Sequence, residues 1–229
     1  MKLLIKMIFA LFILANLIPL EPLASVNNPA QKLVASLSEP RIKLWATEKE
    51  GNLTNFNLQL EEDTLSFPSW VNVVNPTYSP QLYFNSIEEG QGDNIVIILT
   101  TGYGSEVMIQ DVHVLHKENK KFVEKKVEDL ISSINKNVRS TLTKSDVTID
   151  VQNKKTTVNL DKYGIEPSHL FSKVAFGSVT KYKFINKQLV AIVGATISPS
   201  GGYIGELYIS YAFKDNKYQV SKMQFVPSN

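Results

Sequence analysis

Cysteine is absent from the 229 residues, which excludes disulfides, thiolate metal ligands, a thiol nucleophile and anchoring through a lipidated cysteine. Arginine is scarce. Of 24 basic residues only Arg41 and Arg139 carry a guanidinium, so the planar forks that grip phosphate and guanine are missing as a set. With 22 acidic residues the net charge is +2, and loss of Lys2, Lys6 and Glu21 with the first 25 residues would leave +1. That balance is no nucleic-acid footprint. There is also no repeat of 20 to 50 residues and no low-complexity linker. Without disulfides the fold must rest on core burial, which 229 residues with 43% hydrophobic content can supply.

One apolar run stands at the N-terminus, where Lys2 and Lys6 precede Met7 to Leu20, broken by Asn16 and Pro19 and followed by Ala24 and Ser25. This is the layout of a signal peptide, with Leu23 and Ser25 three residues and one residue before the cut. The run is shorter than the roughly 20 residues a spanning helix needs. Nothing later in the chain is long and apolar enough to span a bilayer.

The mature chain reads mostly as β. Asn28-Pro29 starts a short helix on Leu33, Val34 and Leu37. From Arg41 onward Ile42 and Leu44, then Phe56, Leu58 and Leu60, alternate with polar residues across a Gly51-Asn52 turn. Pro68, Pro76 and Pro80 confine whatever strand lies between them to an edge or a short element. The aromatics there, Trp70 and Tyr78, form either a ligand platform or a plug on the β core.

The stretch from Asp93 to Gly104, DNIVIILTTGYG, carries five consecutive aliphatics and needs cover on both faces. After a turn over Thr100 to Gly104, Val107 and Ile109 alternate on one parity and Val112 and Val114 on the other. That change predicts a β-bulge near Gln110-Asp111. The spacing of Val127, Leu130, Ile131, Ile134, Val138 and Leu142 predicts a long amphipathic helix from about Val123 to Leu142. Beyond it come a hairpin on Val147 to Leu160, a helical turn at Glu166-Pro167-Ser168, and four antiparallel strands over Val174–Ile185, Gln188–Ile197, Tyr203–Phe213 and Tyr218–Val226.

Motifs for chemistry are thin. Gly102-Tyr103-Gly104 lacks the third glycine and the following helix of a phosphate cradle, and a potassium-filter reading lacks pore helices. His113 and His116 are three apart, which on a strand sends them to opposite faces. No Gly-x-Ser-x-Gly elbow is present. The lysines at 117, 120, 121, 125 and 126 form a basic run that suits either solvent or an anionic wall or lipid surface.

Two resemblances attach to these residues. Ser86, Glu88, Gly90 and Asn94, followed by the aliphatic strand, resemble in layout a degenerate calcium-binding turn of FG-GAP or VCBS-type repeats, with Glu88 as the one carboxylate. More broadly, Asn75-Pro76-Thr77-Tyr78, IVIILTTGYG, the following DVHVL, KVAFGSVTKYKF and IGELYISYAFKDNKY are similar to uncharacterised secreted proteins of Bacillus-type bacteria. This second resemblance implies extracytoplasmic location and brings no activity with it.

The expected protein is α+β, mostly antiparallel β with one long amphipathic helix packed on the sheet. It divides into a signal peptide over 1–25, a β-rich half over 26–120 and a helix-plus-meander half over 121–229, or the last two as one continuous domain. The expected role is a secreted, non-catalytic binding or structural module of the cell envelope or extracellular space, with Trp70, Tyr103 and Tyr203 as candidate binding aromatics. No catalytic residue, metal ligand or cofactor is assigned. The partner is an envelope polymer or protein, not nucleic acid, and a membrane only if the N-terminal segment stays. A hydrolase acting on an envelope polymer through Asp/Glu acid-base chemistry is the alternative, and a membrane-anchored accessory subunit is a third. Fractionation with N-terminal sequencing separates anchor from export: a released chain beginning at Val26 is expected, whereas a membrane-bound chain beginning at Met1 would establish an anchor.

Overall fold

The computed structural model describes residues 30–228 apart from 62, 87–92 and 200. The signal segment, the Asn28-Pro29 helix start, and Glu88 and Gly90 of the FG-GAP-like turn lie outside the described residues. Strands β1 (Gln31–Leu37), β2 (Ile42–Lys49), β3 (Asn52–Leu60), β4 (Asp63–Phe67) and the short β5 (Asn72–Val73) form one antiparallel sheet. β6 (Gln81–Ser86), β7 (Asp93–Gly104), β8 (Val107–Glu118) and β9 (Lys121–Lys125) join the C-terminal meander in an eight-stranded sheet. That meander comprises β13 (Ala175–Ile185), β14 (Gln188–Ser198), β15 (Gly201–Lys214) and β16 (Lys217–Pro227). Between them helix α1 (Leu130–Asn137) leads into a three-stranded sheet of β10 (Val138–Leu142), β11 (Asp146–Val151) and β12 (Lys154–Asn159).

β7 lies at the junction of two cores. Ile95 to Leu99 are all at most 1% exposed, and alternation along the strand sends them to opposite sides. Ile95, Ile97 and Leu99 pack with Ile42, Leu44 and Phe56 of the five-stranded sheet. Val96 and Ile98 join a second core with Ala191 and Leu207 of the meander, Ile149 of the three-stranded sheet and Ile134 of the helix. Residues 31–229 form one compact unit. The expected subdivision at 120/121 falls in the β8–β9 turn, inside the eight-stranded sheet.

The long helix of the sequence reading is replaced by strand, helix and strand. Residues 121–125 pair with β8, with Lys125 buried and ion-paired to Glu118 at 2.7 Å. Val127 then makes a parallel bridge to Tyr218. Helix α1 occupies only Leu130–Asn137, capped by the Asp129 carboxylate accepting from the Ser132 N–H at 2.8 Å. Val138 is extended at φ −116°, and Arg139 donates to the carbonyl of Asn135 at 2.9 Å beyond the helix end. A spacing of four residues is one helical turn but also an even strand interval, so Val138 and Leu142 satisfied both patterns. The β-branched Val123, Val127, Val138 and Thr141 tip those flanks to strand.

Three smaller expectations change. The helix on Leu33, Val34 and Leu37 is edge strand β1, whose register shift between Leu33 and Ala35 explains the irregular spacing. The β-bulge falls at the expected level but on the partner strand: Thr100 pairs with Gln110 and Gly102 with Ile109, leaving Thr101 extra. β7 therefore runs on through Gly104, and the hairpin turns at Ser105-Glu106, with Glu106 at φ 60°. The bulge is tied down from elsewhere, because the buried Asn72 side chain accepts the Thr100 N–H at 2.7 Å and donates to Tyr78 O at 2.9 Å. The meander hairpins turn at Asn186-Lys187 and Asp215-Asn216, both left-handed pairs.

After β9 the chain crosses to the far edge of the sheet. The Glu128 N–H donates to Tyr218 O at 2.8 Å and the Tyr218 N–H to Lys126 O at 2.9 Å. The Glu128 carboxylate also accepts from the Val220 N–H at 2.9 Å and the Ser133 hydroxyl at 2.8 Å. A hydrogen-bonded circuit thus runs from β8 through β13, β14, β15 and β16 back to β9.

Two outcomes test this account. Ile97→Asp places an unpaired charge between two sheets and is expected to cost more than about 3 kcal/mol in urea unfolding, whereas Tyr103→Ala should stay within about 1 kcal/mol. Equal stability of the Ile97 variant would remove β7 from the centre of the fold. Glu128 is held below its ordinary value of 4.5, first by the Val220 N–H, against burial, with the Ser133 hydroxyl assisting. A depressed folded value means that its contribution is complete above about pH 4.5 and lost as pH falls through the lower, folded value. Glu128→Gln should therefore lower stability at pH 7 and flatten the acid limb of a stability-against-pH curve; an unchanged limb would show that the latch carries no linkage.

Candidate functional site

The three aromatics selected from the sequence have different fates. Trp70 is 4% exposed, sandwiched between Phe67 at 3.9 Å and the His113 ring at 4.1 Å. It is a plug on the sandwich core, and as an exposed interaction aromatic it is corrected. A proline-punctuated loop brings the large ring inward because β5 has only two residues with which to close that end. Tyr103 and Tyr203 are 47% and 40% exposed.

Tyr103 stands on one transverse row of the eight-stranded sheet, and the Tyr203 ring leans over that row from a neighbouring level, where its backbone pairs with Thr196. Tyr103 pairs with Met108, Met108 with Val179, Gly194 with Glu206, and Glu206 with Val226. Val179 and Tyr203 both crowd Gly194, where a Cβ would stand 3.1 Å from the Val179 Cβ and 3.3 Å from the Tyr203 ring. From β7 to β15 is four strand spacings, about 19 Å along the sheet. Val107 and Val226, also exposed, lie at this level, and Tyr78 leans on Tyr103 at 4.7 Å.

At the meander end the row carries a polar centre. The Tyr208 hydroxyl donates to the Glu206 carboxylate at 2.7 Å. The Tyr203 phenol is pushed up first by burial and then by the nearby Glu206 carboxylate. Tyr208 is raised chiefly by its bond to Glu206. Both phenols thus stay protonated donors, leaving the remaining lone pairs of Glu206 for another donor.

A register shift builds this cluster. Thr196 pairs with Tyr203 and Ala195 with Gly205, so Ile204 is an extra residue that turns into the core while Tyr203 joins the outward side. Gly205 sits at φ 148°, and a Cβ there would fall 2.3 Å from Val226 O, so no other residue fits. Glu206 and Tyr208 escaped the sequence reading, although their parity, opposite to Leu207, Ile209 and Tyr211, marks them as outward-facing. Tyr203 required the bulge, which the sequence marks only by Gly205.

Groups suited to acid-base work lie elsewhere. A cleft of about 430 Å³ is lined by Asp111, His113, Glu128, Asp129 and Tyr182. Glu128 and Asp129 are each committed to capping α1 or latching β16 and are held low, Asp129 chiefly by Ser132. A general acid at neutral pH needs the opposite shift. His113 faces Trp70 and Glu124 (2.7 Å), and His116, on the other face as the spacing required, is buried against Asn94 (2.8 Å) and Phe213. Burial lowers the His116 pKa. Among the described residues no cluster of three or more His, Asp or Glu side chains is arranged to hold a metal ion. Asn94, at the strand end of the FG-GAP-like turn, spends its side chain on His116. No helix among these residues is long and apolar enough to cross a membrane. No protein-family model, no curated protein and no solved structure matches this chain.

Proposed function

We propose that this protein is a secreted, non-catalytic binding module that works outside the cytoplasm and grips a polymer of the cell envelope across the aromatic row. The observation that carries the reading is the Tyr203–Glu206–Tyr208 cluster on an outward sheet surface, with the Tyr208 hydroxyl donating to Glu206 and the Tyr203 phenol influenced by the same carboxylate. A pyranose offers a face of C–H groups to an aromatic ring and hydroxyls to a carboxylate, so a ring beside a fixed carboxylate matches both halves of a sugar. Tyrosine supplies this contact at low conformational cost, and the shared carboxylate removes part of that cost before binding. Tyr103, about 19 Å along the sheet, extends the contact to more than one sugar unit.

The hydrolase alternative would draw its acid and base from Asp111, Glu128 and Asp129. The depressed pKa values and structural bonds of the latter two favour binding over catalysis.

Co-sedimentation of the mature protein with purified, insoluble peptidoglycan sacculi tests the proposal. Tyr203→Ala is expected to weaken retention about tenfold, Glu206→Gln a few-fold, and Tyr103→Ala less than Tyr203→Ala, with far-UV spectra unchanged. Full retention by a Tyr103→Ala/Tyr203→Ala double variant would sink it, as would release of soluble fragments from the sacculi by the wild type.

A further inference from the structure

The open mouth of the sandwich core carries a second feature, separate from the aromatic row. Between the β3–β4 turn and the β8–β9 turn lies a cleft of about 420 Å³, inside the range of roughly 300–1,000 Å³ that small-molecule sites occupy. Its floor is apolar, with Ile42, Leu60 and Leu65 from one sheet and Phe84 and Phe122 from the other. Its walls differ in charge. Glu61 and Asp63, with Arg41 beside them, bound the side formed by the five-stranded sheet, and Lys120 and Lys121 bound the other together with Lys117 and Asp93.

The basic run noted in the sequence is therefore split in use. Lys125 is buried against Glu118, and Lys117 bonds Asp93 at 3.1 Å while standing 5.7 Å over the Phe122 ring. Among the described residues no ion pair spans the cleft, so Glu61 and Asp63 on one wall and Lys120 and Lys121 on the other keep their charges for a third party. A site built for an anion alone would not set two carboxylates over the same floor. A site for a cation alone would not set two ammonium groups opposite them. The apolar floor asks for a hydrocarbon or aromatic group between the two ends.

We propose that this cleft binds a short zwitterionic peptide, its terminal carboxylate at Lys120 and Lys121, its terminal ammonium at Glu61 and Asp63, and an apolar side chain on the Phe84–Phe122 floor. Ion pairs this exposed are individually weak, so affinity comes from their combination with burial of the side chain, with a dissociation constant on the order of 0.1–1 mM. The site stands whether or not the aromatic row binds polymer.

The probe is the tripeptide Ala-Phe-Ala, followed by titration calorimetry and amide chemical-shift mapping on the mature protein. Alongside it run the N-acetylated, C-amidated and doubly blocked forms. The free tripeptide is expected to bind and to shift amides of residues 121–123 and 63–65; each single block should weaken binding about three- to tenfold and the double block abolish it. In a Lys120→Glu/Lys121→Glu variant, checked for an unchanged melting temperature, amidation of the peptide should no longer weaken binding. No binding of the free tripeptide, equal binding of the doubly blocked form, or sensitivity to the C-amide alone, which would mark a simple anion site, would each overturn the proposal. Sacculus retention by the same variant is read separately, so failure here leaves the polymer reading standing or falling on its own test.

Discussion

Everything in this fold is placed by the need to cover β7 on both sides. A strand whose five central aliphatics alternate between two faces cannot sit at a surface, so one layer has to lie over Ile95, Ile97 and Leu99 and another over Val96 and Ile98. The five-stranded sheet supplies the first. The second is assembled from distant parts of the chain, the meander, helix α1 and the three-stranded sheet, and this is why the two halves of the sequence do not separate into independent cores. At about 25 cal/mol per Å² of apolar surface removed from water, such shared burial can stand in for the covalent staples that a cysteine-free chain lacks.

The same constraint explains what was readable in advance. Strands whose hydrophobic alternation is regular, such as Val147 to Val151 and Leu207 to Phe213, were legible because period two leaves no second interpretation, and turns such as Asn186-Lys187 and Asp215-Asn216 carry residues that tolerate the left-handed region. The region from Val123 to Leu142 was not, because its apolar residues at three- and four-residue intervals fit a helix throughout. What decides the matter is tertiary: β8 offers an edge to Lys121–Lys125, and Glu118 offers a partner to Lys125. Periodicity sees neither. The helix survives only where a cap is available at Asp129 and the carbonyls of the last turn find Asn137 and Arg139.

Site residues were legible to a different degree, for a related reason. Exposed aromatics cannot be told from buried ones by type, since both Trp70 and Tyr103 lie beside turn residues. Trp70 is taken inward by Phe67 and His113, and the stacking partners come from two strands, β4 and β8, more than 40 residues apart. Tyr203 stays outward because a single extra residue, Ile204, reverses the parity of the strand between it and Leu207. A bulge thus decides which residues become surface, and Gly205, where a Cβ would strike the neighbouring backbone, is its sequence trace.

Edges raise the remaining question, because the outermost strands of an open sheet present unpaired backbone groups to other chains. The segment from Lys126 to Glu128 answers it for the meander by hydrogen-bonding to the start of β16, so that the sheet meets its own continuation there. Glu128 is the hinge of that closure, since its backbone bonds Tyr218 while its side chain holds Val220 and Ser133. On β12 the defence is charge, with the exposed Lys154 and Lys155 leading an edge that has no second strand. With these two edges closed or charged, recognition there is left to side chains, which is the condition under which an outward group of tyrosines can select a ligand by its chemistry instead of by adding a strand.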